Sequence, residues 1–131
     1  MKINFLDHVA IRVNDIEASA KWYEEVLGLK RFNSTEYWGP FPIMVRAGNS
    51  GIALFPKKKG DVLEQVTSRM HVAFNVDQES FRSFQHTFEQ KGIEFSFEDH
   101  HWYHSTYIND PDGYVVELTT AVINDNSALK V

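Results

Sequence analysis

The chain has 131 residues, 43% hydrophobic and 24% charged, which suits one globular domain or two small units sharing a core and excludes disorder. Thirteen basic against eighteen acidic residues give a formal net charge of −5, and the only basic run is Lys57-Lys58-Lys59, so a nucleic-acid partner has no electrostatic footprint. The lack of cysteine removes disulfides, thiolate metal sites and thiol nucleophiles, and no signal-peptide pattern or membrane-length apolar stretch is seen, so the cytoplasm is the expected location and no membrane partner is expected.

Residues 5–13 are apolar and β-branched and read as a strand. Asn14 and Asp15 offer N-cap chemistry, Ile16, Ala20, Tyr23 and Leu27 follow at helical spacing, and Gly28 is placed to end that helix. Strands are expected near 29–34, 42–47 and 51–55. A polar connector over 57–68 separates this first module, about 4–56, from a second, about 69–121. There the pattern restarts: a strand over Met70–Val76, a helix from Asp77 or Gln78 carrying Phe81, Phe84 and Phe88 on one face, and Gly92 as its stop. Strands near 93–97, 104–109 and 114–120 follow, the last two joined by Asp110-Pro111-Asp112-Gly113, where Pro fixes φ and Gly accepts a positive one. Residues 122–131 read as a tail.

The order βαβββ therefore occurs twice, and His8-Val-Ala-Ile-Arg-Val13 matches His71-Val-Ala-Phe-Asn-Val76 at four of six positions. Each unit alone could bury little, so the expected fold is α+β, with the two modules pairing into a cupped mixed sheet around a cleft. The repeat puts His8 and His71 at equivalent places on two first strands. Glu117 interrupts the apolar strand Tyr114-Val-Val-Glu-Leu118, where a carboxylate is costly unless paired or bound to metal. Two His and one carboxylate form a facial set with open positions, suited to Fe(II), Mn(II), Zn(II), Ni(II) or Co(II).

These residues carry a resemblance to the vicinal oxygen chelate superfamily, which includes glyoxalase I, extradiol dioxygenases and the fosfomycin- and bleomycin-resistance proteins. It spans about residues 4–121 and rests on Asp7-His8-Val9-Ala10, Trp22-Tyr23-Glu24-Glu25-Val26-Leu27-Gly28-Leu29, Met70-His71-Val72-Ala73-Phe74 and Asp110-Pro111-Asp112-Gly113-Tyr114-Val115-Val116-Glu117-Leu118. The resemblance implies two βαβββ modules, a divalent metal (Fe(II) or Mn(II) favoured) on His8, His71 and Glu117, a small-molecule substrate whose oxygens chelate that metal, and a homodimer.

Within the superfamily, Ala53 stands where a glyoxalase I-like chain would place a fourth, carboxylate ligand, which disfavours that branch. Tyr107 lies ten residues before Glu117, as the active-site Tyr of extradiol dioxygenases does, and Ser105, Tyr107 and Asp110-Pro111 also fit the fosfomycin-resistance pattern. The cluster His100, His101 and His104 supplies candidate acid/base groups, with His101 and His104 preferred. The phosphonate loop of the fosfomycin branch would be Lys- and Ser-rich, whereas this chain has Phe97, Asp99, His101 and Trp102 there. Trp38, Phe41, Phe97 and Trp102 lean instead toward an apolar or aromatic ligand, with Trp38, Phe41, Trp102 and Ser105 as the expected binding residues. The reading favoured on these grounds is an extradiol-dioxygenase-like enzyme. A thiol transferase of fosfomycin-resistance type, a glyoxalase-like lyase and a metal-free drug-binding protein are the alternatives.

Overall fold

The computed structural model describes residues 1–33, 35–60 and 71–122. The chain forms two compact units, Met1–Glu64 and Gln65–Val131. The expected connector and tail fall largely outside the described residues, as does Met70.

The first unit runs β1 (His8–Val13), α1 (Ile16–Leu27), β2 (Lys30–Phe32), α2 (Thr35–Trp38), β3 (Ile43–Ala47) and β4 (Ser50–Pro56). Its sheet has the order β1-β4-β3-β2, with β1 parallel to β4 and the other neighbours antiparallel. Asp15 caps α1 by accepting the Ala18 N–H at 3.0 Å. At the other end Gly28, at φ 69°, donates its N–H to Glu24, and Leu29 donates to Tyr23, closing the last turn as only a left-handed residue allows. The inner stripe of α1, Ala20, Tyr23 and Leu27, packs on the face of β3 and β4 that carries Val45, Ile52 and Leu54, all buried. Each such large side chain contributes roughly 1.5–3 kcal/mol relative to exposure. Strand alternation sends His8, Ala53, Met44, Phe55 and Arg46 to the opposite face. Gly51 is required there for space: a Cβ would stand 2.8 Å from the Val45 carbonyl oxygen.

The second unit repeats the plan with β5 (His71–Asn75), α3 (Gln78–Lys91), β6 (Ser96–Asp99), β7 (Tyr103–Asn109) and β8 (Val115–Ala121), in the order β5-β8-β7-β6. Asp77 caps α3 through the Ser80 N–H at 2.7 Å. Phe81 and Phe88 are buried on the helix side of the sheet, where Ile108, Val116 and Leu118 are also buried. The β7–β8 turn is held by Asp110, whose Oδ1 accepts the N–H groups of Asp112 and Tyr114 at 2.9 Å.

Three local readings change. The strand read over 5–13 begins at His8, leaving residues 5–7 outside it. The strand expected near 93–97 starts at Ser96, because Ile93 still bonds back to the Phe88 carbonyl and Phe95 packs on the Phe88 ring before pairing begins. The four-residue α2 is additional: Gly39 N–H bonds to the Thr35 carbonyl, a single turn too short to leave a periodic signal. No helix among the described residues is long and apolar enough to cross a membrane.

Candidate metal centre

In the second unit, strand register gathers His71, Ser105, Tyr107 and Glu117 on the sheet face opposite α3. Ala73, Glu117 and Tyr107 lie in one row across β5, β8 and β7. His71 and Ser105 stand two residues from that row on the same face. Glu117 is only 8% exposed, so its charge must be answered locally. Ser105 Oγ donates to Glu117 Oε1 at 2.6 Å, and Tyr107 Oη donates to the same oxygen at 3.2 Å. Thr119 Oγ1 lies 3.4 Å from Ser105 Oγ. The second carboxylate oxygen, Oε2, faces His71 Nε2 at 2.8 Å. The Tyr107 and His71 rings meet edge to face at 5.9 Å. Burial, and then the Glu117 charge, push the Tyr107 phenol above its ordinary pKa, so it stays a donor.

Of the histidine cluster, it is His100 that reaches this network. Its Nε2 is 3.1 Å from Tyr107 Oη and 3.5 Å from Glu98 Oε2. Because the Tyr107 proton goes to Glu117, the ring of His100 must donate to the phenol oxygen. His104 is on the other face of β7, edge-on to Phe97 at 5.0 Å with Nε2 3.7 Å from Asp99. His101 sits at the hairpin tip at φ 72°, its N–H on the Asp99 carboxylate and its ring against Trp102. Thus His101 and His104, the preferred acid/base candidates, are not brought to Tyr107, and Trp102 stays with the tip. Register separates the three: Ser96 and Glu98 pair with Tyr107 and Ser105, and continued alternation puts position 100 on their face.

In the first unit, His8 Nδ1 is 2.7 Å from Asp7 Oδ2, and Asp7 Oδ1 is 3.5 Å from Arg46, which also donates to the Asn49 carbonyl at 2.7 Å. The His8 hydrogen bond, aided by Arg46, holds the Asp7 carboxyl below its usual pKa. A carboxylate on Nδ1 favours the His8 tautomer whose lone pair is on Nε2, the arrangement that supports a metal-binding imidazole. Ala53 occupies the row Ala10–Ala53–Met44 and brings no donor. His8, Trp38, Phe41 and Ala53 line one pocket of about 780 Å³.

The donor types in both units fit a divalent ion: imidazole nitrogens, plus one carboxylate oxygen left unclaimed by hydroxyl donors. Within either unit, no three His, Asp or Glu side chains of the described residues form a set that would hold an ion alone.

The family model described as Glyoxalase/Bleomycin resistance protein/Dioxygenase superfamily matches residues 5–118. Metallothiol transferase FosB of Staphylococcus epidermidis is 28% identical over 134 aligned positions, covering 95% of this chain and 87% of that one. Glutathione transferase FosA of Serratia marcescens is 28% identical over 117, covering 86% and 78%. A crystal structure of a putative glyoxalase family protein from Bacillus anthracis superposes with a TM-score of 0.77 at 21% identity, over 93% of this chain and 98% of that one, a likeness of fold.

Proposed function

Because this chain belongs to the Glyoxalase/Bleomycin resistance protein/Dioxygenase superfamily, we propose that it is a metal-dependent thiol transferase acting on a small molecule whose oxygens bind the metal. The observation that carries this reading is the buried Glu117, with Oε1 held by Ser105 and Tyr107 and Oε2 presented beside His71 Nε2. His8, His71 and Glu117 are the proposed ligands, contributed by one chain or by two copies in a homodimer. Bound there, a divalent ion such as Mn(II) or Fe(II) supplies Lewis acidity toward substrate oxygens. Ser105 fixes the carboxylate rotamer, and Asp7 fixes the His8 tautomer. Tyr107 Oη donates its hydrogen bond to Glu117 Oε1 and helps hold that carboxylate, while His100 Nε2 meets the phenol oxygen and can supply a proton there. The names of the two 28%-identical relatives support thiol transfer over the dioxygenase and lyase readings.

One observation favours ring cleavage of an aromatic diol as the second reading: an imidazole, His100, on the phenol that touches Glu117. The test is metal content per chain after chelator-free purification, followed by two assays on the loaded protein. Consumption of glutathione or cysteine with an electrophile supports transfer. Dioxygen uptake with a catechol and no thiol dependence overturns it in favour of ring cleavage. Failure to bind any divalent metal overturns both and leaves ligand sequestration.

A further inference from the structure

We propose that the pocket on the open sheet face of the first unit binds a flat aromatic group of a neutral or cationic ligand and discriminates against a phosphonate-like dianion. This deepens the metal-enzyme reading and rests on it for the role of His8. The pocket encloses about 780 Å³, and its wall is largely carbon: Phe32, Trp38, Phe41, Met44 and Phe55. Phe32 and Trp38 meet edge to face with centroids 5.5 Å apart, and Phe41 and Phe55 do so at 6.3 Å. Yet Phe32, Trp38 and Phe41 keep 51%, 47% and 43% of their surface exposed. Three neighbouring large apolar side chains left that open, beside the His8 imidazole, suit a ligand that covers rings while its oxygens reach the metal proposed at His8.

The charge argument comes from each unit separately. Among the described residues lining this pocket, Arg46 is the one guanidinium or ammonium, and it is committed to Asp7 and the Asn49 carbonyl. In the second unit, the pocket of about 570 Å³ at His71 and Tyr107 is lined by Glu94 and Glu98, with no Lys or Arg among its described lining. Apart from the proposed metal itself, a dianion at either place would meet carboxylates and no unengaged guanidinium or ammonium among the described lining, whereas phosphonate recognition calls for such donors around the anion.

The experiment uses the Mn(II)-loaded full chain, after calorimetry has fixed its Mn(II) stoichiometry, with 2,3-dihydroxynaphthalene and methylphosphonate as probes. The diol is expected to bind about tenfold more tightly or better. Trp38→Ala should weaken diol binding about tenfold and methylphosphonate binding less than about twofold. Trp38→Phe should restore most of the diol affinity, which guards against a folding artefact, and circular dichroism checks each variant. Tighter methylphosphonate binding, or diol affinity unchanged in both Trp38→Ala and Phe41→Ala, overturns the proposal. So does a Trp38→Ala variant that alters only the monomer–dimer equilibrium, since the wall would then be a contact between copies. Absence of Mn(II) binding would sink the metal reading instead, and diol binding to the metal-free chain would still decide the aromatic pocket.

Discussion

Ala10, Ala53 and Met44 form the row across β1, β4 and β3 that corresponds to Ala73, Glu117 and Tyr107 across β5, β8 and β7. The backbones repeat strand for strand, down to an Asp N-cap and a left-handed Gly closing each long helix. The chemistry does not repeat. The first row is apolar and faces an aromatic wall. The second holds a buried carboxylate and a phenol that donates to it, with the Ser105 hydroxyl donating from the neighbouring row. The lesson is that main-chain hydrogen bonding sets where a side chain can stand, while a single residue at the middle of the row decides whether that place carries a carboxylate.

The largest effect that tests this contrast is expected from Glu117→Ala. It should lower Mn(II) affinity at least about 100-fold, read by calorimetry, with the far-ultraviolet dichroism unchanged. Stoichiometric binding at wild-type strength would show that the second row is not the ion site. Ser105→Ala removes the shorter donor to Oε1 and is expected to weaken Mn(II) about 10- to 30-fold, more than Tyr107→Phe, whose bond is 0.6 Å longer (3.2 against 2.6 Å). Asp7→Asn should cost about tenfold in Mn(II) affinity, and nitrogen-15 spectra of the metal-free variant should show His8 shifting toward the Nε2–H tautomer. An unchanged tautomer would leave Asp7 without a role at His8. The smallest effect belongs to the apolar row: Met44→Leu should change stability by less than about 1.5 kcal/mol in urea unfolding and leave Mn(II) affinity alone.

Much of this architecture is legible in the sequence because it depends on local signals. Asp15 and Gly28, and Asp77 and Gly92, mark both helices by cap chemistry alone, and the His8/His71 repeat announces two equivalent strands. Glu117 stands out because a carboxylate in an apolar strand requires an answer. What stayed hidden depends on register and on which way a hairpin tip turns. His100, His101 and His104 look interchangeable as letters. They part company only when Ser96 and Glu98 pair with Tyr107 and Ser105, and when the tip takes a left-handed residue at 101. The partnership of Ser105 with Glu117 is likewise a cross-strand relation between β7 and β8 that no spacing rule displays. The helical turn Thr35–Trp38, which carries Trp38 into the aromatic pocket, is too short for periodicity to reveal.

The alanine at position 53 has an evolutionary consequence. Alanine and glutamate codons can differ at the middle base alone, so one nucleotide separates the apolar row of the first unit from a carboxylate-bearing copy of the second. A lineage carrying this duplicated scaffold could thus gain or lose an acidic side chain at that place in one mutational step, without moving a strand.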